Sequence, residues 1–445
     1  MDGGRFDVTA SNGPFRFRGF EQSPEAIDDR KGKGRMRRNV FKLIAVALIG
    51  VSPAIAQNTA LTSFVETSLP GTSGLTIQRV FYVDANNNVQ GLASFGEPAV
   101  TSLGSLTQSG GSEPTFAGSA LTSFADSFGI QHVFYADFTS NVHELYRPYE
   151  DPAAPWSHNQ LTQGATGAPP LQDSQTQLSS CFDNHNIEHV FYIDENDHVI
   201  ELYNNGKWWS NDLTEQTNTA GAIPRGEGSD FGSGLTSFCD TSGNANVFYT
   251  SSINGTKLLH INYLRFDGSH WSNTDLTAQT EGPIAAAANA LTSFQDSFGF
   301  RHVFYFASDH SVRELYELTT DGPWFGNNLT SATNSPVAIV KSGLTSFFDT
   351  NNIEHVYYVD DANNHVRELY NDGQWATNDL SARTGSPIPV FGGGLTSFFD
   401  RLGEHVFYIG LTRTANSDII ELYFANGSWG FEDLTSTSGA PGATP

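Results

Sequence analysis

Residues 178–214 read LSSCFDNHNIEHVFYIDENDHVIELYNNGKWWSNDLT. Four runs rich in β-branched and aromatic residues alternate with breaks rich in Asn, Asp and Gly. The runs are an opening strand at Leu178–Asp183, a second at His189–Asp194, a third at His198–Tyr203, and a fourth from Trp208 through Asp212, Leu213 and Thr214. The first composition fits a pleated, half-buried surface and the second closes tight turns. The stretch therefore predicts a four-stranded antiparallel meander.

The same grammar recurs from Leu61 onward. Versions of Leu-Thr-Ser-Phe open at Leu61, Leu121, Leu178 (as Leu-Ser-Ser-Cys), Leu235, Leu291, Leu344 and Leu395, at spacings of 51 to 60 residues. Such short units cannot bury a hydrophobic face alone and must stack on one another. No window sustains a 3.6-residue apolar period. The fold class is all-β, a seven-bladed β-propeller of four-stranded antiparallel blades. A solenoid is the alternative, but its units are usually shorter, and ring closure also protects sheet edges. Unit one is degenerate: Gly91-Leu92-Ala93 stands where other third strands read Glu-Leu-Tyr, and the unit has no Trp.

The 445-residue chain carries 23 Lys and Arg against 48 Asp and Glu, a formal charge of −25. Nucleic-acid binding relies on basic residues that neutralise phosphates, and anionic membrane surfaces attract basic patches, so neither partner is expected. Aromatic residues at 12% with charged residues at only 16% are unlike a disordered chain. Near the N-terminus, Arg37, Arg38 and Lys42 precede an apolar run from Leu43 to Val51 and the small residues Ala54-Ile55-Ala56. This is the pattern of a secretory signal peptide cleaved before Gln57; the run is too short for membrane insertion, which takes about 20 residues. The expected division is a spurious leader over 1–35 with Met36 as the true start, a signal peptide over 36–56, and one propeller domain over 57–445, secreted or periplasmic. The mature chain then keeps 13 basic and 42 acidic residues.

Cys181 and Cys239 lie one position apart in neighbouring opening strands. Opposite faces of adjacent blades meet at one interface, which allows a disulfide in an oxidising compartment. Against it, stacked sheets lie about 10 Å apart and a disulfide needs Cα atoms within about 7 Å.

The second and third strands form a hairpin. A register that sets His189 opposite Glu201 sets Phe191 opposite Val199 and Ile193 opposite Asp197, so the His–Glu pair shares a face with apolar residues. The pair recurs as His132/Glu144 and His302/Glu314 at the same 12-residue offset, as His355/Glu368 at 13, and as His405/Glu421 at 16. All seven Trp residues (Trp156, Trp208, Trp209, Trp271, Trp324, Trp375 and Trp429) lie where fourth strands begin. Pairing each blade with the next gives four complete sets. They are His132/Glu144 with Trp208 or Trp209, His189/Glu201 with Trp271, His302/Glu314 with Trp375, and His355/Glu368 with Trp429. His405/Glu421 would need a Trp from unit one, and unit four places Asn246 and His260 where the pair should be, without the acid.

This pattern resembles the fungal fucose-specific lectin family, β-propellers that bind sugars between neighbouring blades, over nearly all of residues 58–435. In that family an Arg opens the second strand, a Glu ends the third, and a Trp from the next blade stacks on the sugar. Its members are typically six-bladed, and here His occupies the Arg position, with Arg only at Arg79. The resemblance implies a secreted multivalent lectin without cofactor or metal, with glycans or polysaccharides, fucosylated ones among them, as partners. The chemistry is consistent: a carboxylate accepts sugar hydroxyl hydrogen bonds, and His donates or accepts according to its tautomer. Binding should then change near pH 6.5, where a free imidazole titrates.

Two other readings share the fold. A His–Glu pair copied by tandem duplication is also an ordinary cross-strand contact worth about 0.2–1 kcal/mol, which leaves a secreted protein-interaction propeller. An enzyme is less favoured: glycosidases need two carboxylates about 5–10 Å apart, each site offers one Glu, and no nucleophile elbow, zinc-protease or phosphate-loop motif occurs. The acidic hairpin loops at 194–197 and 360–363 suit calcium or, more simply, the local hydrogen bonds of Asp and Asn in turns.

Overall fold

Each Leu-Thr-Ser-Phe repeat forms the first strand of a four-stranded antiparallel sheet, and all seven sheets keep the chain order of their strands without exchange. The first strands touch their neighbours in a closed circuit, the last against the first, which makes them the inner wall of a seven-bladed propeller. The structure, a computed structural model, describes residues 61–444 apart from 68–75, 95–99, 117–118, 149–153, 173–176, 224–233, 253–257, 287–289, 320–321 and 413–416. The expected leader, signal peptide and cleavage site fall outside the described residues.

In blade 3 the strands are Ser179–Phe182, Glu188–Ile193, Val199–Asn204 and Trp208–Asp212. Leu213 and Thr214, expected to end the fourth strand, instead open a helical turn, Leu213–Thr217. Asp212 caps it by accepting from the Glu215 N–H. A turn of this kind closes every blade. Five residues are too few to display an apolar period; the readable signal is the capping Asp or Asn before Leu, as at Asp275, Asn328, Asp379 and Asp433.

The repeated motif has a physical reason. Its Thr hydroxyl, replaced by Ser179 in blade 3, bonds the Ser hydroxyl of the next blade at every interface: Thr62–Ser123, Thr122–Ser180, Ser179–Ser237, Thr236–Ser293, Thr292–Ser346, Thr345–Ser397 and Thr396–Ser63. These buried bonds span 2.7–3.2 Å and form a belt around the inner wall. Each interblade connection also bridges to the next blade, as Leu171 does to Asp194, and Ala443 does the same to Asp84 of blade 1. The C-terminal segment thus closes the ring by repeating what every linker does. The apolar residues gather between blades: Phe191, Val199 and Leu213 of blade 3 pack with Leu235, Val247 and Tyr249 of blade 4. A single blade therefore has no core of its own.

Cys181 and Cys239 are joined, with Cα atoms 5.6 Å apart. The 10 Å sheet spacing does not apply here because first strands converge on the axis. At the equivalent positions other interfaces place ring pairs, Phe124 with Phe182 and Phe294 with Phe348. The acidic loops bond themselves: Asp194 Oδ1 accepts from the Asn196 and His198 N–H groups, and Asp360 Oδ1 from those of Ala362 and Asn363. Blade 1 keeps the register of the others, with Gly91 at the Glu position opposite Phe81.

Candidate functional site

The hairpin register differs from the expected one by two residues. Phe191 faces Glu201, His189 faces Tyr203 and Ile193 faces Val199. The turn therefore holds residues 194–198, with Asp197 in the left-handed region at φ 65°. A slip of one residue would have turned the side chains over; a slip of two preserves their faces. His189 reaches Glu201 diagonally instead, and its Nδ1 donates to Oε1 at 2.7 Å. The other four pairs, His132–Glu144, His302–Glu314, His355–Glu368 and His405–Glu421, form in the same way at 2.6–2.8 Å.

These pairs are buried, with every His and Glu at most 7% exposed. The second carboxylate oxygen accepts from an Asn of the same blade's fourth strand: Asn159 for Glu144, Asn211 for Glu201, Asn327 for Glu314 and Asn378 for Glu368, all at 2.6–2.7 Å. On the far side of the ring, Nε2 points toward an Asp of the first hairpin. The gap is 3.7 Å from His132 to Asp126, 3.7 Å from His189 to Asp183, and 3.9 Å from His302 to Asp296. That is too long for a hydrogen bond. Among the described residues, Nε2 of His132, His189, His302 and His355 has no hydrogen-bond partner. His405 differs, since its Nε2 meets Asp400 at 3.2 Å and the Gln78 amide of blade 1 at 3.0 Å.

Burial alone would lower these imidazole pKa values, but the facing carboxylates outweigh it. Asp126 and Glu144 lift His132 to about 10, Asp296 and Glu314 lift His302 to about 10, and His189 and His405 rise to about 9. These four rings stay charged at neutral pH, so the titration expected near 6.5 moves well above it; His355 is also raised, by Glu368 and Glu404.

A second carboxylate escaped the sequence reading. Glu188 of blade 3 lies 3.4 Å from His132 Nδ1, Glu354 of blade 6 lies 3.7 Å from His302, and Glu404 of blade 7 lies 3.4 Å from His355. Burial, together with the neighbouring Glu, pushes Glu188 and Glu404 up to about 7 and Glu354 to about 8, against the pull of the imidazolium. The signal was present as Glu immediately before His at Glu188-His189, Glu354-His355 and Glu404-His405. At these three interfaces the donor atoms converge closely enough to hold a cation, and the imidazolium supplies the positive charge they share.

Every Trp but Trp209 packs edge-on against an aromatic ring of the preceding blade: Trp156 on Phe81, Trp208 on Phe134, Trp271 on Phe191, Trp324 on Phe248, Trp375 on Phe304 and Trp429 on Tyr357. Trp209 turns outward under Lys207. The four that complete a His–Glu set (Trp208, Trp271, Trp375 and Trp429) are half-buried, whereas Trp156 and Trp324 are buried.

Two interfaces are built differently. Between blades 1 and 2, Arg79 pairs with Glu66 of its own first strand at 3.1 Å. Between blades 4 and 5, Tyr263, not His260, occupies the Glu position opposite Phe248. Its hydroxyl donates to Asn246 Oδ1 at 2.6 Å, while His260 bonds Asp275. Arg301 of blade 5 reaches back to Asp240 of blade 4 at 3.4 Å and holds Glu317 at 2.7 Å.

No protein-family model matches this chain, and no curated protein matches it in sequence. Solved structures do share its fold. The lectin BP39L from Burkholderia pseudomallei superposes with a TM-score of 0.57 at 13% identity, over 83% of this chain and 97% of that one. A mutant of Aleuria aurantia lectin in complex with α-methyl-L-fucoside gives 0.49 at 12% identity, over 88% and 98%. AofleA from Arthrobotrys oligospora gives 0.48 at 15%, over 71% and 86%. At such identities the likeness is one of fold.

Proposed function

We propose that this protein is a secreted, multivalent, non-enzymic carbohydrate-binding protein that holds glycans between adjacent blades. The sites are built on His132/Glu144/Trp208, His189/Glu201/Trp271, His302/Glu314/Trp375 and His355/Glu368/Trp429. One observation carries this reading. In these four sets a buried imidazole keeps an Nε2 without a hydrogen-bond acceptor, whereas the fifth imidazole, which has no Trp, is closed by Asp400. An unpaired buried donor costs about 1–3 kcal/mol. A sugar hydroxyl, directly or through one water, supplies the missing acceptor, and the half-buried Trp offers its apolar face to the sugar's C–H side. The lectin fold of BP39L supports carbohydrate binding in general. Weak single sites spaced around a ring gain affinity for a surface by multivalency.

The depth of the pairs favours a second reading, in which they only lock blades together in a protein-interaction scaffold. The test is a glycan array, fucosides included, with residues 57–445 at pH 7, followed by Glu201→Gln and Glu368→Gln. Selective binding that weakens in the variants while the fold persists is the expected result. Silence across the array from a folded sample, or unchanged affinity in both variants, overturns the proposal. Secretion is tested separately by N-terminal sequencing of the exported protein, which should begin at Gln57.

A further inference from the structure

The interface between blades 4 and 5 belongs to none of the four sets, yet it holds a cavity of about 410 Å³ at the rim where the first hairpins lie. Its lining is unusual for this chain. Two arginines, Arg265 and Arg301, face it with a single carboxylate, Asp240, in a protein whose acidic residues outnumber its basic ones 48 to 23.

The side-chain acceptors of Asp240 and Gln295 are already occupied. Asp240 Oδ1 accepts from the Ser242 and Asn244 N–H groups, and Oδ2 from the Asn244 amide and Arg301. Gln295 is spent as well, accepting from the Thr241 N–H and donating to the Gly299 carbonyl. Donors remain. Arg301 is 2% exposed and fixed by Glu317 and Asp240 through its terminal nitrogens, but its Nε–H has no partner. The Phe298 ring, 67% exposed, stands at the rim. A guanidinium held rigidly by two carboxylates, with one N–H left over, a second arginine in the lining and an aromatic face at the edge, suits an oxyanion on a ring-shaped body.

We propose that the cleft between blades 4 and 5 is a separate binding site for an acidic saccharide, one that presents a carboxylate or sulfate to Arg301 and Arg265 while its ring packs on Phe298. The site extends the carbohydrate-binding reading to a second ligand class and does not depend on the His–Glu sets. At the interfaces with a His–Glu pair the buried chemistry is a carboxylate excess around one imidazole, which repels such a ligand. Here the next blade contributes Arg301 in place of Glu188, Glu354 or Glu404. The sequence reading passed over this interface because it lacks a His–Glu pair.

Residues 57–445 are titrated calorimetrically with trigalacturonate, with its fully methyl-esterified form, and with a sulfated trisaccharide of equal length. The Arg Nε–H resonances are followed by NMR. Expected are binding of one or both anions, loss of about tenfold or more in affinity on esterification or in Arg265→Ala, and a shifted Nε–H signal absent from Arg301→Lys. The carboxylate and sulfate arms identify which anion is preferred. Equal affinity for acid and ester, no binding of either anion by the folded protein, or an Arg265→Ala variant that binds as well as the parent overturns the proposal. Glu201→Gln with Glu368→Gln should leave this binding intact, so failure of the His–Glu sites and failure of this one are read separately.

Discussion

The next-blade glutamates give the propeller a pH dependence of defined sign, and Glu354 shows it most strongly. Its side chain is 16% exposed, 3.7 Å from His302, and shares the interface with Glu314. Burial raises its pKa from 4.5 to about 8, with Glu314 adding to the rise and His302 opposing it. A raised folded-state pKa means that the native protein binds the proton more tightly than the unfolded chain does. The associated stability is complete below pH 4.5 and is lost as pH climbs through about 8. Each tenfold in proton affinity is worth about 1.4 kcal/mol, so forcing this group to ionise costs at most about 5 kcal/mol. Solvent at the interface rim reduces the expectation to about 2–4 kcal/mol. Glu354→Gln removes the cost while keeping a side chain of the same shape. Thermal unfolding should therefore find the variant equal to the parent near pH 5 and more stable by about 3–5 °C near pH 9. His302, lifted to about 10, stays charged across that range and does not confound the comparison. A variant less stable than the parent at both pH values, or a parent whose stability is flat from pH 5 to 9, would refute this account.

Other perturbations read other parts of the ring. Reducing the Cys181–Cys239 bond, which closes a separation of 58 residues, should cost about 4 kcal/mol by chain entropy, seen as a lower urea midpoint with dithiothreitol than without; an unmoved midpoint counts against it. Trp208→Ala should destabilise by about 3 kcal/mol because the ring packs on Phe134, whereas Trp209→Ala, whose ring is 38% exposed, should stay within about 0.5 kcal/mol. Thr236→Val strands the buried Ser293 hydroxyl in the inner belt and should cost about 1–3 kcal/mol, measured by denaturant unfolding.

The fold was legible because duplication wrote the same rule seven times: strands, turns and a recurrent Thr-Ser whose hydroxyls must find each other at each interface. The site was legible in its parts and less so in its geometry. His189 and Glu201 share a face in either register, so a two-residue error in the turn left the pair intact; only the loop, fixed by Asp194 and the left-handed Asp197, decides between adjacent and diagonal contact. What a single unit cannot express is its neighbour. Glu188 alternates away from its own blade's His–Glu face, so reading blade 3 alone gives it no role, and it meets His132 only when the ring is closed. Cys181 and Cys239 pose the same difficulty, because the distance that permits their bond is a property of convergence at the axis rather than of either strand.

The interfaces follow one electrostatic rule from this common plan. All but one place a polar residue from the start of the next blade's second strand there, and that residue sets the local charge. Glu188, Glu354 and Glu404 add an acid beside an imidazole. Gln78 brings a neutral amide that donates to Asp400 beside His405, and Arg301 brings a cation to Asp240. Between blades 3 and 4 the position is Ala245, and there the disulfide crosses instead. A ring assembled from near-identical units thus acquires unlike seams through one position per blade. Ligand preference and pH response should accordingly vary from seam to seam, so that exchanging that residue, as in Ala245→Glu, transfers the acid-favoured stability of one interface to another.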